Sequence, residues 1–287
     1  MSFPSNLSVT GKLMNIGDVV LRIVHSTDVI GHEEVDPKRV ERLARRLQSD
    51  GILKNPPVVA EAGDQFVVLD GATRVAALRE LGIRDVLVQI VDYHAPSIQL
   101  FAWCHVVVNV SRDELVKRLE DIRGVEVKAM DLGLARRALS LRTILCYVVL
   151  QDGSVLGVKG GMNLEAQVAL LNDVVDAYKG EAEVYRAVTD ELEGLLEEYP
   201  DLTAVLVFPS YSRGEIMRTS LNGAKLPMGV TRHTISGRAM GLNVDTVMLD
   251  SDIPLEQKNV WLDSSIKRKI KDSRVRFYQE PVLRFDE

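Results

Sequence analysis

The sequence predicts an α/β (α+β) protein, with a first α/β domain over residues 1–95 and a second, mixed α/β domain over residues 96–287. Three observations carry this expectation. From residue 12 to 95, short β-branched runs alternate with two segments of helical period. After His94 the pattern loosens into short apolar runs mixed with longer amphipathic stretches. The chain has 287 residues, 46% of them hydrophobic and 26% charged, which suits a globular protein with one large or two ordinary domains.

The elements follow in order. KLMNIGDVVLRIVHSTDVI, residues 12–30, reads as one or two strands. Asp36 can cap the next segment and Pro37 suits its first turn. Val40, Leu43, Ala44 and Leu47 then share one helical face, and Gly51 ends the helix. PPVVAEAGDQFVVLD reads as a hairpin turning at Gly63-Asp64, and LDGATRVAALRELG continues it through a tight turn into a helix that stops at Gly82. IRDVLVQIVDY is a further strand. Beyond it come a short aromatic segment, a helix capped by Ser111, and the β-like runs VEVKAM, TILCYVVLQ and VLGVK. A long amphipathic helix is expected from about Leu164 to Glu198, followed by the strand TAVLVFPS and the helix GEIMRTSLNG. A loop-and-strand region, the polar helix LEQKNVWLDSSIKRKIKDS and a final strand VRFYQEPVLRF complete the chain.

Composition removes several function classes. A formal net charge of −6 argues against a main role in neutralising nucleic-acid backbone. Two cysteines make no disulfide framework. The first residues lack a basic segment followed by an apolar core, and the apolar runs are far shorter than a membrane span, so a cytoplasmic protein is expected. No HExxH, GxSxG, GxxxxGK[ST] or protein-kinase signature occurs.

Four groups could carry chemistry. The helix opening at Ala72 presents free N–H groups and the positive end of its dipole, which favours an anion. Gly71 permits close backbone approach, Arg74 could clamp phosphate or carboxylate, and Asp70 could bind Mg²⁺ or orient a hydroxyl. An Asp-Gly corner beside a solvated arginine would give the same local sequence. His32-Glu33-Glu34 sets two adjacent carboxylates before the first helix, which suits a general base, a metal ligand or a polar lead-in. Trp103-Cys104-His105 could wall a small-ligand pocket or belong to the core. Finally, Gly229 to Arg238 packs two arginines, a histidine and three hydroxyls around two glycines, as a carboxylate or phosphate site requires.

These residues together resemble a known family. The run from Ile30 to Tyr93, with its acidic loop, NPPVV, hairpin and DGATR turn, resembles the ParB/sulfiredoxin-like superfamily. Its partitioning proteins carry a GERR-type turn, its sulfiredoxins a GCHR-type turn with a catalytic cysteine, and its free L-serine kinases D-G-x-H-R. Asp70-Gly71-Ala72-Thr73-Arg74 is nearest the last form. LPMGVTRHTISGRAMGLNV is similar to the kinases' P-x-G-x-T-R segment, and Trp103-x-His105 to a W-x-H element, in the same order over roughly residues 20–285.

The resemblance implies a kinase that moves a phosphoryl group from ATP or ADP, with Mg²⁺, to the hydroxyl of free L-serine in a cleft between two domains. Glu33 would take the hydroxyl proton, and Asp70 would assist the hydroxyl or the Mg²⁺. Gly71, Ala72, Thr73 and Arg74 would cradle the phosphoryl group or nucleotide. Trp103, His105, Thr231, Arg232 and His233 would hold the amino acid. Thr73 stands where the kinases have histidine; it can donate to a phosphate oxygen but brings no charge. Two rival readings stay open: a non-catalytic ParB-like nucleotide sensor or DNA-binding regulator, and a kinase for another small hydroxy amino acid such as threonine.

Overall fold

The computed structural model describes residues 19–276. Its first layer begins with β1 (Val20–His25), a 3-10 turn at Ser26–Asp28, and β2 (Val29–Gly31). Helix α1 (Pro37–Asp50) has the expected ends: the Asp36 side chain accepts from Lys38 N at 2.9 Å, Pro37 opens it, and Gly51 closes it with φ 66°. The short β3 (Ile52–Leu53) leads to the hairpin β4 (Val58–Ala62) and β5 (Gln65–Asp70), then α2 (Ala72–Glu80) and β6 (Asp85–Val91). The five strands order as β1-β6-β4-β5-β2, with β2 parallel to β5 and β4 parallel to β6.

Why FVVL reads as an unbroken apolar run is now visible. Phe66 and Val68 of β5 pack into the cluster under α1 and α2, while Val67 and Leu69 pack into the opposite cluster. A strand buried on both faces has no polar side to show.

The chain continues through β7 (Ile98–Ala102), β8 (Cys104–Val108), α3 (Arg112–Glu120), β9 (Val125–Ala129), α4 (Leu132–Ser140), β10 (Cys146–Leu150), β11 (Val155–Gly160) and α5 (Leu164–Asp176). It goes on through β12 (Glu183–Ala187), α6 (Leu192–Glu198), β13 (Leu202–Val207) and α7 (Arg213–Leu221). A six-stranded sheet, β12-β8-β13-β10-β11-β9, is antiparallel throughout. One face packs toward the first sheet: Val148 and Leu150 share a cluster with Ala60, Val67 and Leu69. Its other face, with Tyr147 and Val149, is covered by Ala135 and Leu139 of α4 and Leu195 of α6.

The last described elements are β14 (Thr231–Ile235), β15 (Val244–Asp245), α8 (Thr246–Asp250) and α9 (Leu255–Lys271). Strand β14 pairs with β7, and β15 pairs with β3. Val244, Leu249 and Leu262 lie in the cluster of the first sheet, so residues 244–271 return to pack on the first lobe. Lys258 of α9 is fully buried there, with Nζ 2.7 Å from both Asp85 Oδ2 and Leu249 O.

Three expectations are corrected. The single helix from Leu164 to Glu198 is α5, β12 and α6: Gly180 turns the chain with φ 89°, and β12 pairs with β8. Helix α4, capped by Asp131 at Gly133 N and Leu134 N, was not anticipated between the β-like runs. The aromatic segment after His94 is two strands, β7 and β8. The expected final strand falls almost wholly outside the described residues, as does the start of the first.

Candidate active site

The corner after β5 is built as the sequence suggested, but its charges are paired. Gly71 adopts φ 94°, and a Cβ there would sit 2.8 Å from the Arg74 guanidinium. Arg74 folds back over it. Nη1 donates to Asn55 O at 2.9 Å and Pro56 O at 2.8 Å, and Nη2 donates to Asp70 Oδ2 at 2.6 Å. Arg238 donates to the same Asp70 oxygen. Arg74 therefore ties the loop at Asn55-Pro56 to the turn, and two guanidiniums converge on Asp70. The strap that brings Arg238 in is fixed by Gln89, whose amide donates to Gly237 O at 2.9 Å and accepts from Ala239 N at 2.8 Å. Thr73 and Ala72 lie half-buried in the first turn of α2.

Glu33 is the second centre. Leu226 N donates to His32 O at 2.9 Å and Glu34 N donates to Leu226 O at 2.8 Å, so the segment after β2 is zipped to the segment before β14. This brings Glu33 beneath the Gly229-Val230-Thr231 loop. Its carboxylate accepts from Gly229 N at 3.0 Å, Thr231 N at 2.6 Å and Thr231 Oγ1 at 2.5 Å. A cavity of about 180 Å³ opens beside it, lined by Glu33, Val68, Ala72, Arg79, Ser220 and Lys225. It touches both the base candidate and the start of α2. A larger open cavity of about 680 Å³, at Ser111, Arg112, Asp152 and Thr203, includes none of the predicted residues.

His105 lies against the Gly229–Thr231 loop. It is 3% exposed and spends both ring nitrogens on the protein. Nε2 is 3.0 Å from Gly229 O, so it donates; Nδ1 is 2.7 Å from Tyr178 Oη and accepts. Burial lowers its pKa to about 4, so it stays neutral and props the loop. His233 is similar: Nε2 lies 2.7 Å from Tyr93 Oη, and burial, then the charges of His32 and Arg213, lower its pKa to about 3. Trp103 borders the same loop. Its N–H holds Val230 O at 2.9 Å, and the Arg232 guanidinium stacks 4.8 Å from its ring centroid. Burial pushes the Cys104 thiol up to about 12, which leaves it unreactive.

Two participants were missed. Arg186 of β12 lies against the loop, since a Cβ at Gly229 would come within 2.5 Å of Nη2. Surrounding protein lowers its pKa, and the Glu33 charge opposes that shift. It was hidden because its segment reads as helix and VYRAV shows no apolar–polar alternation. His32, named only as Glu33's neighbour, is 4% exposed and contacts both Val68 O and Thr231 Oγ1. Among the described residues no three His, Cys, Asp or Glu side chains cluster as a metal site, and no helix is long and apolar enough to cross a membrane.

Comparison with known proteins bears on this geometry. No protein-family model matches the chain. An ATP-dependent L-serine kinase, SbnI, of Staphylococcus aureus is 27% identical over 248 residues, covering 84% of this chain and 88% of its own length. An ATP-dependent L-serine kinase of Staphylothermus marinus is 27% identical over 183 residues, covering 59% of this chain and 69% of its own. The chain is similar to free L-serine kinases. The fold agrees: a free serine kinase in complex with AMP superposes with a TM-score of 0.70 at 20% identity, over 81% of this chain and 93% of that one.

Proposed function

We propose that this protein is a kinase that transfers a phosphoryl group from an adenine nucleotide to the hydroxyl of free L-serine, giving O-phospho-L-serine. The observation that carries the reading is the convergence on one side of α2. Glu33, from before α1, meets the Gly229–Thr231 loop nearly 200 residues later and shares a cavity with Ala72 at the start of α2, the helix whose opening turn carries the Asp70–Arg74–Arg238 cluster. Phosphoryl transfer needs little more than positioned reactants and neutralised charge. Relatives named as L-serine kinases over most of their lengths support the acceptor.

Within this reading the hydroxyl of serine approaches Glu33 Oε2, which has one protein donor where Oε1 has two. Arg232, next in the chain after that loop and stacked on Trp103, suits a carboxylate. The positive end of α2, with Arg74 and Arg238 held beside it on Asp70, suits phosphate. A Mg²⁺ ion would arrive with the nucleotide: Arg74 and Arg238 hold Asp70 Oδ2, so the protein would offer it Asp70 Oδ1, with phosphates and water for the remainder. It would supply charge neutralisation. The ParB/sulfiredoxin-like assignment of the first lobe and its division from the second near residue 95 belong to this proposal, as does a cytoplasmic setting.

The test is direct. The protein is incubated with Mg²⁺, L-serine and either ATP or ADP, and O-phosphoserine is measured by mass spectrometry. Glu33→Ala should lower turnover by about 10²–10⁴-fold. Absence of phosphoserine with both donors, together with salt-sensitive DNA binding, would favour the ParB-like regulator. Faster product formation from threonine than from serine would move the reading to another acceptor.

A further inference from the structure

The site contains a hydrogen-bond chain whose protons can be counted. His32 Nδ1 lies 2.5 Å from Val68 O, His32 Nε2 lies 2.7 Å from Thr231 Oγ1, and Thr231 Oγ1 lies 2.5 Å from Glu33 Oε1. A carbonyl only accepts, so Nδ1 carries a proton. The threonine hydroxyl has one proton and two neighbours. If it donates to Glu33, Nε2 must donate to it. If it donates to Nε2, a proton must sit on Glu33. Either way the trio holds one proton more than a neutral imidazole and an ionised carboxylate possess together.

The second arrangement makes Glu33 an acid and removes the base. The first leaves a carboxylate and an imidazolium 3.9 Å apart, bridged by a hydroxyl. Glu33 already accepts two backbone N–H groups, as a carboxylate would. His105 supplies the contrast. It too faces a carbonyl through one nitrogen, but its other neighbour, Tyr178 Oη, has no second acceptor among the described residues that would claim its proton. A neutral ring satisfies His105; it does not satisfy His32.

We infer that His32 is a resident imidazolium that, through the Thr231 hydroxyl, keeps Glu33 a carboxylate. His32 is thus a positioning residue for the base, and this role rests on the kinase reading above. The surroundings allow one charge on the imidazole pair. His233 stands edge-on to His32 with ring centroids 5.1 Å apart, and faces Tyr93. Burial first, and then the His32 charge, hold His233 neutral. Arg186 and Arg213 are the other cations nearby. In the reaction the serine oxygen bonds to phosphorus and the phosphorus–oxygen bond to the nucleotide breaks, its electron pair leaving with the nucleotide. The serine proton passes to Glu33 and then to water, and His32 keeps its charge throughout.

The experiment uses the full chain labelled with ¹⁵N-histidine. There are five histidines, so each ring can be followed, with His32→Gln assigning the signal. Ring-nitrogen shifts report whether each nitrogen bears a proton. At neutral pH both His32 nitrogens should be protonated, while His105 should show one protonated and one bare. Thr231→Val, close in shape, should return His32 to one bare nitrogen and lower kcat for serine by about 10²-fold, the lower end of acid–base effects. Thr231→Ser should restore both signals. A bare His32 nitrogen in the wild-type protein would overturn the inference. The spectrum is independent of turnover: doubly protonated His32 without phosphoserine formation sinks the kinase reading and not the charge assignment, and turnover with a neutral His32 does the reverse.

Discussion

Gly229→Ala should uncouple stability from activity, and Gly153→Ala is its control. Both glycines have left-handed backbone, with φ 76° and 81°. An L side chain in that region costs about 1–2 kcal/mol. At Gly153, in the β10–β11 hairpin, nothing lies within 4 Å of an added Cβ. At Gly229 the added Cβ meets Arg186 Nη2 at 2.5 Å, Nε at 2.6 Å and Cζ at 2.8 Å. Ordinary carbon contact needs about 3.5 Å, so the guanidinium must retreat by roughly 1 Å. Arg186 is a flexible side chain reaching from β12, and its tip can move at small cost. The two variants should therefore lose similar stability, each about 1–2 kcal/mol by urea titration. Their activities should separate. The Arg186 charge moves away from Glu33, and Gly229, which also supplies a donor to Glu33, shifts with it. A misplacement of about 1 Å can cost roughly 10²-fold in rate. Phosphoserine formation should fall by about that factor in Gly229→Ala and stay near wild type in Gly153→Ala. Equal activities would refute the coupling of Arg186 to the base. A stability loss far larger at Gly229 would show that Arg186 is rigidly held and that the contact is structural.

Other consequences can be checked on the same material. Lys258→Met leaves Asp85 buried without its cation, with only His25 as an ionisable partner at 2.7 Å, and should cost about 3–5 kcal/mol in denaturant titration. Adding Asp85→Leu should recover much of that loss; no recovery would mean that Lys258 acts mainly through Leu249 O. Acid should destabilise the fold through His105 and His233. Their folded pKa values, about 4 and about 3, lie below the unfolded value of 6.5. The stability they contribute is complete above pH 6.5 and falls as the pH drops toward 4, because the unfolded chain binds protons that the folded chain refuses. The slope is about 1.4 kcal/mol per pH unit for each histidine. Urea midpoints from pH 7 to 4.5 should fall accordingly and more gently in His105→Gln; a flat profile would show that the two rings are charged in the fold.

Local signals recovered whatever local physics controls. Asp36, Pro37 and Gly51 mark the ends of α1 because caps, ring closure and left-handed backbone act within a few residues. The hairpin β4–β5 and the turn into α2 were legible for the same reason. The segment from Leu164 to Glu198 misled because VYRAV is short and does not alternate, so the helical period of its flanks appeared to run through it. Pairing with Cys104–Val108 decided between them, and no window of sequence contains that partner.

The site divides along the same line. The sequence by itself determined which residues were candidates: Glu33 beside His32, the Asp70–Arg74 turn, and the run from Gly229 to Arg238. Only the tertiary structure decided what each one faces. It closed Arg74 and Arg238 onto Asp70, turned His105 into a prop, brought Arg186 in from a strand, and set Thr231 between His32 and Glu33. A side chain's chemistry is carried by its residue type, but its charge, its partners and its reach depend on groups that folding delivers from hundreds of residues away.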